Sequence, residues 1–293
     1  MRHRVFATAL LALFGHAALA QPLANSEFDV EALRLRQALE HEVRSPAPHD
    51  PVQDALWIEL VRTTLDASNE PVEHPQLLVV VDRNPRVQQL MVVLAAPDEP
   101  WRVIGGSAVS TGQAGRFDHY LTPLGVFHLT DAILGYRAAG TLNENGIRGL
   151  GAKGMRVWDF GWQVAMKGWP EPAGKPDRTP IRFMLHATDP DKLERRLGHP
   201  ASQGCIRMPA GMNRFLDQHG VLDADYERAA ATDIRFRALL LPGRDPSPLA
   251  GNTLIVIDSA PKPAVSANAV AVRPAPDARR PGATIPAAGP GRS

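Results

Sequence analysis

The stretch from Leu77 to Gly112 narrows the folds open to this chain. It holds "LLVVVD", "QQLMVVLA" and "WRVIGGSAVSTG", separated by "RNPRV" and "APDEP". Short runs of β-branched and aliphatic residues, closed off by Pro, Asn and Asp, are strands joined by hairpin turns. Further runs follow: "PLGVFHLTD" with Gly125 near its start, "MRVWDFGWQVA", "IRFMLHAT", and "LIVIDS" at 254–259 as the last. "PAGMNRFLDQHG" at 209–220 has a proline at a helix start and a glycine at its end. The predicted body is mainly β with a few helices, not an alternating parallel α/β fold.

Ahead of these strands, "FDVEALRLRQALEHEV" places Val30, Leu33, Leu35, Leu39 and Val43 near a helical period. "VQDALWIELVRTTLDA" does the same with Leu56, Leu60, Val61 and Leu65, and "SPAPHDP" links the two. Two amphipathic helices are therefore expected, supporting the strand-rich body. The first twenty residues have Arg2 and Arg4, a short apolar run and Ala18-Leu19-Ala20. This reads as a secretory signal cleaved after Ala20, because the run is too short to span a bilayer comfortably. No later segment is apolar enough to cross a membrane. Past Ser259 the chain is dominated by Ala and Pro with five basic residues against Asp277, which predicts a disordered basic tail. The organisation expected is a leader over 1–20, a helical segment over 21–75, a catalytic domain over 76–259 and the tail over 260–293.

Charge excludes one class of partner. Removing Arg2 and Arg4 takes the 32 Lys and Arg to 30 against 31 acids, about −1, so nothing calls for nucleic acid. The compartment would permit disulfides, yet Cys205 is the only cysteine. Such a thiol is an inert buried residue, an intermolecular bridge or a nucleophile. A nucleophile needs a base, a group to orient that base, and oxyanion donors. His186 ends a strand nineteen positions earlier, and the polar loop between is long enough to turn back. Gly204 permits a tight backbone that aims amides at a reacting carbonyl. A His186–Cys205 pair of this kind should hold the thiol below its ordinary pKa. His186, His199, Cys205 and His219 could also be read as metal ligands, but their spacing fits no standard zinc pattern. Trp158, Trp162 and Trp169 read as core or hairpin residues, with a substrate cleft as the alternative.

The arrangement His186, fifteen residues, then Ser202-Gln203-Gly204-Cys205-Ile206-Arg207-Met208 resembles the signature of the L,D-transpeptidase catalytic domain, the YkuD family. Upstream, Ser110-Thr111-Gly112 and the Thr-Pro-x-Gly-x-Phe series Thr122, Pro123, Gly125, Phe127 resemble its opening motifs in the same order. The resemblance implies a β-sandwich or barrel-like catalytic domain that needs no cofactor. It implies Cys205 as nucleophile, His186 as base and the backbone carbonyl at Ala187 as the group orienting the ring. Amides near Gly204 and Cys205 would form the oxyanion hole, with Ser202, Gln203 and Arg207 supporting the site. Its substrate would be a peptidoglycan stem peptide, held as a thioester and passed to an amine of a second stem or of a protein. Water as acceptor would make it an L,D-carboxypeptidase, and loss of activity would leave a peptidoglycan-binding protein. An exported protein, in the periplasm or cell envelope, is expected. Gln203 stands where the family has histidine and Ala187 where it often has glycine.

Overall fold

The computed structural model describes residues 27–113, 115–167 and 177–260. The leader, Trp169 and the tail from residue 261 lie outside the described residues. Two open sheets, not a closed barrel, form the body. The first has the order β3-β2-β1-β9-β4, built from β1 (Gln76–Asp82), β2 (Gln89–Ala95), β3 (Arg102–Ala108), β4 (Gly125–His128) and β9 (Thr253–Ile257). The second has the order β5-β6-β7-β8, from β5 (Tyr136–Arg137), β6 (Arg156–Met166), β7 (Arg178–Ala187) and β8 (Ile206–Met208). The turns "RNPRV" and "APDEP" join antiparallel neighbours, as their composition predicts.

Strand β1 is apolar at nearly every position because both of its faces are covered. Leu77, Val79 and Val81 meet Trp158, Phe183 and Ile206 of the second sheet in the main core. Leu78 and Val80 point the other way, into a second core closed by Trp57, Val61 and Leu65 of helix α2 (Pro51–Ser68). Burying each of these three side chains is worth about 1.5–3 kcal/mol, which fixes α2 as an outer layer. Asp50 caps that helix by accepting from the amides of Val52 and Gln53, and Pro51 occupies its first turn. Pro51 therefore belongs to the helix and not to the linker.

Helix α1 (Glu27–Glu42) lies on the opposite side of the first sheet, in the main core. Its buried line is Phe28, Ala32, Leu35 and Leu39, continued by Val43. Val30 and Leu33, expected inside, are 54% and 51% exposed. They sit off that line, where the helix faces solvent. Leu56 of α2 is likewise exposed, its place taken by Trp57. The segment between the helices carries the chain around edge strand β3, where the Ala47 amide donates to Gly106 O at 2.8 Å. That contact covers part of an otherwise open edge.

Helices α3 (Ala210–Gln218), α4 (Ala224–Ala230) and α5 (Ile234–Leu239) complete the main core. Strand β9 then returns to the interior of the first sheet, parallel to β1 and antiparallel to β4. Among the described residues no helix is long and apolar enough to cross a membrane.

Candidate active site

Strands β7 and β8 run parallel, with Leu185 opposite Ile206 and His186 opposite Arg207. Leu185, Ile206 and Met208 point into the main core. Alternation along the strands therefore turns His186 and Arg207 to the outer face, and Cys205, one residue before β8, to the same face. The intervening segment is held by Asp189, whose carboxylate accepts from the amides of Arg148, Asp191 and Lys192. It brings the chain back beside the strand it left.

His186 is buried, and its Nδ1 lies 2.8 Å from Ala187 O. A carbonyl oxygen only accepts, so the neutral ring carries its proton on Nδ1 and offers Nε2 as a base. Burial drives its pKa down to about 4; the Ala187 carbonyl opposes that fall and the Arg207 guanidinium adds to it. Cys205 is half-buried and donates to Arg182 O at 3.5 Å. Burial pushes the thiol up, opposed by the Met184 backbone and by Arg207. The resting pair is thus neutral thiol and neutral imidazole, not the depressed thiol that an ion pair would give.

The imidazole has a consequence for stability. Its pKa is an ordinary 6.5 in the unfolded chain and about 4 when folded. Between those values the unfolded state binds more protons, so the stabilisation is full above pH 6.5 and is lost as pH falls toward 4. It amounts to about 3 kcal/mol. Thermal unfolding of wild type and His186→Gln between pH 7 and pH 4 should show the variant losing less stability by that amount. Parallel pH dependences would mean that the ring is not buried neutral.

The loop before Cys205 is held by two side-chain hydroxyls and one backbone carbonyl. Ser202 Oγ donates to Cys205 O at 2.5 Å and accepts the Gly204 amide at 3.0 Å. Thr122 Oγ1 donates to Gly204 O at 2.8 Å and accepts the Gly112 amide at 2.9 Å. Thr111 O accepts the amides of Ala201 and Ser202, both at 3.0 Å. The Thr111 amide in turn donates to the buried side chain of Gln88 at 2.8 Å. Two glycines are required here. A Cβ on Gly112 would lie 1.9 Å from Tyr120 O, and Gly204 has φ +128° with Ile181 Cδ1 2.6 Å from where its Cβ would be.

The structure thus gathers Cys205, His186, Ala187, Ser202, Gly204 and Arg207. Gln203 is exposed, and its side chain has no hydrogen bond among the described residues, so Ser202 and Thr122 hold the loop in its place. The Gly204 amide is occupied by Ser202 and is not a free oxyanion donor. Arg207 is half-buried; its Nη1 reaches Ala201 O at 3.4 Å and its buried Nε has no partner. His199 is exposed, and His219 pairs with Glu42 of α1 at 3.0 Å, so neither joins the site. Trp158 is core and bonds Asp223 Oδ1 at 3.3 Å, whereas Trp162 is exposed. No residue pattern marks Gln88 or Arg182 as neighbours of the site; Thr122 is visible only as part of a motif.

The structure thus puts a thiol and an imidazole on one face of the second sheet of a two-sheet body. The family model of the L,D-transpeptidase catalytic domain, YkuD, matches residues 77–223, just over half of the chain. The chain belongs to that family, and its domain is that of an L,D-transpeptidase-type enzyme directed at peptidoglycan. No curated protein matches the chain. The match ends at Asp223, yet β9, thirty residues further on, is interior to the first sheet.

Proposed function

We propose that the protein is a cysteine L,D-transpeptidase acting on peptidoglycan stem peptides in the cell envelope. The observation that carries this reading is the placement of Cys205, His186 and Arg207 on one face of the β7–β8 pair, with the imidazole locked by Ala187 O. The leader-like first twenty residues support an exported enzyme.

In this mechanism His186 Nε2 takes the thiol proton as Cys205 Sγ attacks the carbonyl carbon of the L,D-peptide bond. The Cys205 amide donates to the oxyanion. The imidazolium then protonates the departing amine of D-alanine, leaving a thioester. An acceptor amine attacks the thioester, gives up a proton to His186 and releases the thiol. Arg207, with no carboxylate within 4 Å among the described residues, is suited to a substrate carboxylate.

Incubation with a stem tetrapeptide should release D-alanine and add the remaining tripeptide acyl mass to Cys205. Cys205→Ala should do neither. D-alanine release that is independent of added amine would assign hydrolysis; tetrapeptide binding with no mass shift would leave a wall-binding protein.

A further inference from the structure

The Thr-Pro-x-Gly series has no part in the mechanism above, yet its threonine touches the catalytic loop. Thr122 is fully buried, and both its carbonyl and its hydroxyl are committed. Its carbonyl accepts from Arg83 Nη1 at 2.5 Å, and Arg83 is itself tied to Asp258 at 3.1 Å. Its hydroxyl accepts the Gly112 amide at 2.9 Å and donates to Gly204 O at 2.8 Å. Pro123 favours the extended backbone that presents the side chain this way.

The bond to Gly204 O matters because of what lies across the same peptide. The Gly204–Cys205 peptide is trans, so the carbonyl of Gly204 and the amide of Cys205 point in opposite directions in one plane. Holding the oxygen fixes where that amide points. Gly204, at φ +128°, lacks the side chain that would restrain its backbone, so the clamp sets its orientation. Ser202 occupies the Gly204 amide and the Cys205 carbonyl. The Cys205 amide is the remaining donor of the Gly204–Cys205 unit.

We infer that Thr122 is a positioning residue for acyl transfer: its hydroxyl orients the Gly204–Cys205 peptide so that the Cys205 amide meets the oxyanion. This rests on the acyl-transfer reading. It would act on the transition state and not on the thiol or on substrate binding.

The test compares two reactions of Cys205. Acylation forms an oxyanion; alkylation by iodoacetamide does not. Thr122→Val removes the hydroxyl at nearly constant volume, and Thr122→Ser restores it. For Val, kcat for D-alanine release should fall about 10²-fold with KM little changed, since one misaligned oxyanion donor costs about that much. Alkylation at the same pH should stay within about threefold, and Ser should recover most of the acylation rate. Acylation by p-nitrophenyl acetate should follow the same pattern, and it separates this inference from the choice of substrate. Wild type inert to the tetrapeptide but acylated by the ester would refute the function and leave the Thr122 comparison intact. If Val does not fold, Ala is read in its place against Ser. Equal losses in acylation and alkylation, or no loss in acylation, would overturn the role.

Discussion

Replacing His186 with alanine is expected to slow acylation of Cys205 by about 10³-fold near neutral pH, the scale of a lost general base. The wild-type rate should fall away on the acid side with a midpoint near pH 4, where the ring protonates. The variant should lack that limb. It should also regain ground as pH rises, because burial holds the thiol up and ionisation by solvent hydroxide then replaces the missing base. A ratio of wild-type to variant rate that is flat with pH would show that the ring does not take the thiol proton. Intact-mass kinetics across pH 4 to 9 provide the measurement.

The largest effect on stability is expected from Asp223→Ala. Asp223 is fully buried and accepts from Arg156 Nη2 at 2.6 Å, Arg244 Nη2 at 2.5 Å and Trp158 Nε1 at 3.3 Å. Arg156 is itself fully buried, and its Nε lies 3.5 Å from Asp217 without hydrogen-bond geometry. Removing Asp223 therefore strands a guanidinium in the core. Breaking a buried pair from one side costs about 3–5 kcal/mol, roughly 10 °C in melting temperature for a domain of this size. Calorimetry of the variant checks it. A loss under about 1 kcal/mol would mean that Asp217 and Glu227 neutralise both arginines unaided.

Much of the architecture could be read from local chemistry, because β-branched runs bounded by Pro, Asn and Asp admit few other structures. That the chain returns so that Cys205 lies next to the strand bearing His186 was also legible, because the polar loop between them is long enough to turn back. What the sequence hid was geometry that depends on partners. Strands β5 and β8 have two and three residues, too few to show alternation. On α1, Val30 and Leu33 are more apolar than Ala32, yet the line through Phe28, Leu35 and Leu39 is what meets the sheet. Trp158 and Trp162 have the same parity, and a regular β6 would put both inside. A register shift between Asp159 and Trp162 turns the second one outward. Gln203 drew attention as a polar neighbour of the thiol, whereas the loop is held by hydroxyls 3 and 83 residues away from Cys205.

Strand β9 has a bearing on how the chain matures. Asp82 pairs with Ile257, and Arg83 reaches Asp258 across 175 residues of sequence. A chain emerging from its amino end can form the β1–β2–β3 meander early, but the first sheet has no β4 neighbour until β9 arrives. Arg83 gains its carboxylate at the same moment, and through Arg83 so does the backbone of Thr122 gain its anchor. Contacts this distant in sequence form slowly. The frame around the Cys205 loop is thus complete only once β9 is in place, and any amino-terminal fragment ending before Thr253 would carry Cys205 without it.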